Sequence, residues 1–151
     1  MSCMKRKIIV LLADDDANDR HLFKHALKCN GVEIELREVS DGEDFTEYLK
    51  AGGRFADRLA NPLPDLIILD LKMPRMDGLQ SVRSLRKQPE YQRTPVVMLS
   101  GSGLEKDVQT AYGLGVNTYF SKPANLQALM ELIKLVIDYW SRAERPVQKV
   151  R

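Results

Sequence analysis

The chain has 151 residues, of which 44% are hydrophobic and 29% charged, and its formal net charge at pH 7 is +2. This balance is typical of a globular domain that buries roughly 70% of its unfolded surface. The small net charge gives no reason to expect a nucleic-acid partner, and no apolar run has the length of a membrane span or a signal peptide. Cys3 and Cys29 lack metal-binding spacing, so we interpret them as free thiols and expect a cytoplasmic protein.

Apolar runs alternate with amphipathic stretches from the first residues onward, which predicts alternating strands and helices. Ile8–Leu12 is a continuous apolar run, and residues 22–27 then follow helical spacing. Residues 34–39 alternate like a second strand, and Ser40–Glu43 has the form of a capping box that opens a second helix. The glycine pair at 52–53 ends that helix and begins a long loop.

The second half of the chain continues the same alternation. Leu66–Leu69 is the third apolar run, and a helix begins at Asp77–Leu79. Val96–Leu99 forms the fourth strand, Ser102–Glu105 resembles another capping box, and Thr118–Phe120 is a short fifth strand. A last helix carries an apolar stripe consisting of Leu126, Leu129, Met130, Ile133, Val136, Ile137 and Trp140.

These five strand–helix units predict a single α/β domain with a parallel sheet covered by helices on both faces. We place the domain at 6–141, between an N-terminal extension at 1–5 and a C-terminal tail at 142–151. Because only about ten residues follow the last helix, we expect no output domain. The tail cations are interpreted as solvated, and they are Arg142, Arg145, Lys149 and Arg151.

Polar residues follow four of the predicted strands. Open α/β sheets carry their sites at the carboxyl ends of the strands. The first strand ends in Asp14–Asp16, the third in Asp70 and the fourth in Ser100, while Lys122 follows the fifth. If the first strand lies between the second and the third, these side chains meet at one edge.

Such a group of residues suits the acceptance of a phosphoryl group. Several carboxylates so close together repel one another unless a cation lies among them, and Mg²⁺ prefers oxygen ligands of this kind. Asp70 is the expected nucleophile that forms an aspartyl phosphate. Lys122 would neutralise one phosphoryl oxygen, and the Ser100 hydroxyl would donate to another.

Each residue also has a purely structural interpretation. Asp16 suits the N-cap of the first helix, and Asp14–Asp15 could be turn residues. Asp70 could simply end a strand, Ser100–Gly103 could be a flexible turn, and Lys122 could be a solvated surface lysine. Agreement among four strand ends favours the site over this set of separate explanations.

Three segments resemble the receiver domains of bacterial response regulators, the chemotaxis-regulator-like proteins. They are Leu11–Asp16, Pro64–Gly78 and Tyr119–Pro123, and the middle one is the most specific. The resemblance covers nearly the whole chain. It implies a doubly wound (βα)5 flavodoxin-like fold with a five-stranded parallel sheet in the order 2-1-3-4-5.

The resemblance also implies a ligand set for Mg²⁺. Asp14 and Asp15 correspond to the acidic pair, with Asp15 as a direct ligand and Asp14 acting through water. Asp70 corresponds to the phosphorylated residue and is a second ligand. The backbone carbonyl of Lys72 supplies a third.

Further roles carry over to the switch residues. Ser100 occupies the position of the switch serine or threonine, and Lys122 that of the family's lysine. The peptide bond from Lys122 to Pro123 is expected to be cis. Tyr119 corresponds to the aromatic switch residue, whose inward turn remodels the face of the fourth helix, fifth strand and fifth helix; alternatively, it is an amphipathic edge-strand residue.

A narrower resemblance is to the small response regulators paired with phytochrome-type histidine kinases. It depends on the long segment Ala51–Pro64, the loop Leu71–Gly78 and the helix end Asp138–Trp140. It implies a histidine kinase as phosphodonor, a downstream protein target and a homodimer through the fourth-helix to fifth-helix face. Exposed Tyr139 or Trp140 would suit that interface, although either could instead cover the core.

The expected function is therefore that of a single-domain phosphoacceptor switch, which catalyses only its own phosphorylation and dephosphorylation. One alternative is a receiver-like adaptor that never uses the acceptor site. Another is a haloacid-dehalogenase-type phosphotransferase, but that class has a second Asp where this chain has Lys72. Flavin binding is disfavoured because Asp14–Asp16 would repel a phosphate.

Overall fold

The computed structural model describes residues 7–28 and 33–146, so both cysteines, the predicted extension at 1–5 and the tail from 147 onward lie outside the described residues. The strands are Ile8–Ala13 (β1), Ile34–Val39 (β2), Leu66–Leu69 (β3), Val96–Ser100 (β4) and Thr118–Ser121 (β5). The α-helices are Ala17–Lys28 (α1), Gly42–Lys50 (α2), Gly78–Arg86 (α3), Glu105–Gly113 (α4) and Leu126–Arg142 (α5). Short 3₁₀ turns lie at Gly53–Phe55 and Pro89–Tyr91.

The strands form one parallel sheet in the order β2-β1-β3-β4-β5. This order confirms the predicted doubly wound α/β fold. The β3 and β4 strands are buried at every residue, as expected for strands that helices cover on both faces. Because β1 lies between β2 and β3, the carboxyl ends of β1 and β3 are neighbours.

Alternate residues of each central strand face two separate apolar layers. On one face Leu11 and Ile67 pack with residues of α2, α3 and α4, including the buried Tyr48. On the other face Val10 and Ile68 pack with α1 and α5. The two layers bury both faces of the central strands, so the loops at the carboxyl edge begin from well-packed strand ends.

Two of the predicted helix starts are corrected by the structure. The α2 helix is capped by Asp41, whose carboxylate accepts the Asp44 N–H at 2.8 Å, rather than by a capping box at Ser40. Asp ranks with Ser as a cap, and here the carboxylate also pairs with Arg75. The α4 helix has Leu104 at its N-cap with no side-chain hydrogen bond there, because the Ser102 hydroxyl donates instead to Asp107 at 2.6 Å.

Arg58 holds the long segment after α2 against the end of that helix. Arg58 donates to the backbone carbonyls of Tyr48, Leu49 and Asn61, which include orphan acceptors at the end of α2. The buried Tyr91 hydroxyl accepts from Arg58 and donates to the Leu49 carbonyl. The segment is therefore an ordered part of the domain.

Among the described residues, no helix combines the length and the apolar character needed to span a bilayer.

Candidate functional site

The predicted site residues come together at the carboxyl edge of the sheet. Asp14 directly follows β1, Asp70 directly follows β3, Ser100 is the last residue of β4, and Lys122 directly follows β5. Backbone hydrogen bonds between neighbouring strand ends fix the positions of these residues along the sheet edge. The Asp70 N–H donates to the Ala13 carbonyl, and the Lys122 N–H donates to the Ser100 carbonyl at 2.7 Å. The parallel register therefore brings four separate chain segments to one point.

Three carboxylates form the centre of this edge. Asp14, Asp15 and Asp70 each offer an oxygen atom, and the three oxygens lie within 4.8 Å of one another. Asp14 and Asp70 are buried, whereas Asp15 is exposed. Burial raises the pKa of the Asp14 carboxyl above its ordinary value, although hydrogen bonds from Lys122 and the Asp16 amide oppose the rise. Carboxylates that converge in this way suit a hard divalent cation such as Mg²⁺.

Lys122 lies across the buried side of the cluster. Its ammonium group donates to Asp14 at 2.8 Å, to Asp19 at 2.8 Å and to Asp70 at 3.1 Å. Burial disfavours the charged form, but the hydrogen bonds to Asp14 and Asp19 and the charge of Asp70 outweigh burial and raise the pKa of Lys122. Lys122 is therefore an ammonium group held among carboxylates rather than a solvated surface lysine.

Asp19 is a member of this cluster that the sequence reasoning missed. It lies in the first turn of α1, where a carboxylate is already favoured by the helix dipole, so nothing in the local sequence marked it. Asp16, by contrast, caps α1 as expected and accepts from Asn18 at 2.8 Å.

The loop after β3 shapes the other side of Asp70. The Lys72 N–H donates to Asp70 Oδ1 at 3.3 Å. Arg75 has a φ of 67°, at the centre of a turn closed by the Met76 N–H on the Pro74 carbonyl at 2.8 Å. The Arg75 side chain is held by the carboxylates at the start of α2, which are Asp41, Glu43 and Asp44.

Ser100 and Tyr119 are both buried beside the site. The Ser100 hydroxyl is fully buried and accepts from the Ser102 N–H at 3.3 Å. The Tyr119 ring points inward, and its hydroxyl donates to the Ser102 carbonyl at 2.6 Å. The backbone after β4 thus connects the serine at the acceptor site with the tyrosine of β5.

The expected cis peptide bond is corrected by the structure. No cis peptide bond occurs in the described residues, so the bond from Lys122 to Pro123 is trans. The trans isomer is the intrinsically preferred form of a bond before proline. In this geometry the Lys122 side chain already reaches its carboxylate partners, so its contacts do not require the cis form.

The sheet order and the chemistry of its carboxyl edge together define a receiver-type α/β domain. The family model of the response regulator receiver domain matches residues 10–134. The chain belongs to this family, whose members are switches of two-component signalling and not classical enzymes.

Similarity to individual relatives extends over almost the whole chain. The response regulator Rcp1 of Synechocystis sp. is 33% identical over 132 residues, which cover 87% of this chain and 88% of Rcp1. The crystal structure of the phosphorylated cyanobacterial phytochrome response regulator RcpA has a TM-score of 0.89 at 34% identity and covers 94% of this chain and 100% of RcpA. A Mn²⁺-bound structure of Rcp1 has a TM-score of 0.87 at 31% identity, and the match covers 93% of this chain and 99% of Rcp1.

Proposed function

We propose that this protein is the phosphoacceptor of a two-component phosphorelay and receives a phosphoryl group on Asp70 from a histidine kinase. The observation that carries the proposal is the contact of one lysine ammonium with Asp70 and with two further carboxylates beside it. An Asp70 oxygen attacks phosphorus, the bond from phosphorus to the kinase imidazole breaks, and the imidazole leaves with a proton. Hydrolysis of the acyl phosphate by water later returns the carboxylate and inorganic phosphate.

The residues around Asp70 fit this displacement. Lys122 contacts Asp70 Oδ2 and the Lys72 N–H contacts Oδ1, so the carboxylate is oriented before the reaction. Lys122 also lies where it can neutralise a phosphoryl oxygen, and the Ser100 hydroxyl can donate to another. The switch thereby catalyses its own phosphorylation and dephosphorylation.

A bound Mg²⁺ would neutralise phosphoryl charge and align the donor with the acceptor. Asp15 and Asp70 are its proposed direct protein ligands, together with the Lys72 carbonyl, and Asp14 would act through water. The clustering of the Asp14, Asp15 and Asp70 oxygens within 4.8 Å supports this assignment.

Acetyl phosphate with Mg²⁺ tests the proposal directly. We expect the intact mass of the wild-type protein to increase by one phosphoryl group, whereas Asp70→Asn stays unmodified because it lacks the nucleophile. Chelation of Mg²⁺ should abolish the increase. If the folded wild-type protein stays unmodified while a known receiver is labelled, the chain is instead an adaptor that does not use phosphorylation.

Tyr119 is the proposed relay from the acceptor to the surface. Its hydroxyl contacts the backbone of Ser102, two residues after the switch serine. A shift of Ser100 toward a phosphoryl group would move this segment and change the packing of the ring. The face formed by α4, β5 and α5 would then change shape and contact a downstream protein target.

A phytochrome-type histidine kinase is the proposed phosphodonor. This proposal draws on the similarity to RcpA, a phytochrome response regulator. It also draws on the similarity to a response regulator in red light signalling of R. palustris. The structure of that protein has a TM-score of 0.85 at 36% identity, and the match covers 93% of this chain and 99% of that protein. We further propose that residues 6–141 are the receiver unit. Because such kinases obtain their phosphoryl group from ATP, the switch would operate in the cytoplasm.

We also propose a homodimer through the face of α4, β5 and α5. An apolar groove lies between β5 and α5, and the α5 side chains Leu135 and Tyr139 beside it are 59% and 62% exposed. Exposed apolar side chains next to one another are typical of a protein interface. The edge of Tyr139 packs against Trp140 at 5.1 Å between ring centroids, which gives this patch a defined shape.

Leu135→Asp should weaken self-association about tenfold or more, because it puts a charge in the centre of an apolar interface. Sedimentation velocity over a concentration series, with and without acetyl phosphate and Mg²⁺, measures the effect. Leu59→Asp is the matched control, since Leu59 is 93% exposed and lies on the segment after α2. A wild-type protein that stays monomeric in both states would contradict the dimer.

A further inference from the structure

The hydrogen bonds of Lys122 are fully used in the structure. An ammonium group has three N–H donors and no acceptor. These donors meet Asp14 at 2.8 Å, Asp19 at 2.8 Å and Asp70 at 3.1 Å. A phosphoryl oxygen can therefore gain a hydrogen bond from Lys122 only if one carboxylate loses its own.

The three carboxylates differ in what the phosphorylated state requires of them. Asp70 carries the phosphoryl group, and its other oxygen remains available to accept from Lys122. Asp14 is 7% exposed and has a proposed role at the metal. Asp19 has no such role, and its side chain is 26% exposed, so water can solvate it when Lys122 leaves. Of the three, Asp19 is the partner that Lys122 can lose at the lowest cost.

We propose that Asp19 is a positioning residue that competes with the phosphoryl group for Lys122. The inference rests on the proposed function of Asp70 and adds a regulatory element to it. Before phosphorylation Asp19 holds the ammonium beside the acceptor, and it gives up this hydrogen bond when the phosphoryl oxygen arrives. Asp19 thereby lowers the affinity of the site for the phosphoryl group and limits the fraction of protein that is phosphorylated at steady state.

A role as a simple first-turn carboxylate would not explain this contact. A carboxylate in the first turn interacts favourably with the helix dipole without any lysine. Asp19 instead reaches a residue 103 positions away in the sequence, at the centre of the site. The side chain of neighbouring Asp16 shows the simple case, since it is exposed and, in the described contacts, accepts only from backbone amides of its own helix.

Beryllium fluoride with Mg²⁺, a noncovalent phosphoryl mimic, measures the competition. Its affinity for the wild-type protein and each variant can be followed by ¹⁹F NMR at fixed Mg²⁺. We expect Asp19→Asn to bind the mimic about fivefold more tightly, since a partly exposed charged hydrogen bond no longer opposes binding. Asp19→Glu should restore weaker binding, because it returns a carboxylate near Lys122.

Asp16→Asn is the matched control, because it removes the same charge near the site and keeps a good N-cap residue. It separates competition for Lys122 from a general change in the electrostatic field. If Asp19→Asn binds the mimic no more tightly than Asp16→Asn, the proposal is overturned. If the folded wild-type protein binds no mimic at all, the proposed phosphoacceptor function fails, and this inference fails with it.

Discussion

Replacing Lys122 by Met is expected to lower the free energy of unfolding of the metal-free protein by about 3 kcal/mol at neutral pH. Met keeps most of the side-chain volume but removes the ammonium that Asp14, Asp19 and Asp70 share. Breaking a buried ion pair by removing one partner leaves the other charges uncompensated. Urea unfolding in the presence of a chelator, followed by circular dichroism, measures the loss.

The difference in the free energy of unfolding between wild type and Lys122→Met should become smaller as the pH falls. In the wild-type protein burial already raises the pKa of Asp14, and the hydrogen bond from Lys122 opposes that rise. Without the ammonium, the pKa of Asp14 in the folded state should rise further above its unfolded value. The folded state then binds more protons than the unfolded state, so the stability of the variant increases as the pH falls from neutral through the raised pKa.

Mg²⁺ should restore part of the lost stability, because it supplies positive charge to the same carboxylates. Lys106→Met is the control, since Lys106 is exposed on α4. A Lys122→Met protein with wild-type stability and no added pH dependence would show that the three carboxylates need no cation to share this edge.

The central strands β1, β3 and β4 were largely predictable from the sequence because helices bury both of their faces. Leu66–Leu69 was predicted with both of its ends. The other apolar runs gave strands that end one residue too early, at Leu12, Leu99 and Phe120. Hydrogen bonding to a neighbouring strand continues through the next small or polar residue, and hydrophobicity does not report this.

The site residues at the strand ends were predictable for a geometric reason. Parallel strands end at one edge, so Asp14, Asp70, Ser100 and Lys122 had to be neighbours once the sheet order was known. The hydrogen-bond partners of these residues were harder to predict from the sequence. Asp19 joins the site through a tertiary contact with Lys122, and no local pattern distinguishes it from an ordinary first-turn carboxylate.

Two backbone features around the site were not predicted from the sequence. The φ of 67° at Arg75 is stabilised by carboxylates on α2, which are more than thirty residues away in the sequence. The bond before Pro123 is trans although family resemblance implied cis. The conformation of Arg75 depends on tertiary contacts that are not encoded next to it, whereas the trans bond before Pro123 is the intrinsically preferred isomer.

Replacing Gly78 by Ala is expected to damage both the fold and the acceptor. A Cβ atom at this position would lie 2.3 Å from the Asp70 carbonyl oxygen and 2.8 Å from the Leu71 Cα. Both atoms are backbone, so neither can rotate away, and the start of α3 or the acceptor itself must move. We expect a loss of about 2 kcal/mol or more in the free energy of unfolding, measured by urea unfolding.

The displacement should also slow phosphorylation by acetyl phosphate about tenfold or more, since small errors in the position of a nucleophile have large kinetic effects. Gly101→Ala is the control, because a Cβ at that position, next to Ser100, meets no atom within 4 Å. It should retain wild-type stability and rate. If Gly78→Ala loses stability yet is phosphorylated at the wild-type rate per folded molecule, the start of α3 has shifted without moving Asp70. The close packing of Gly78 would then stabilise the fold without positioning the acceptor.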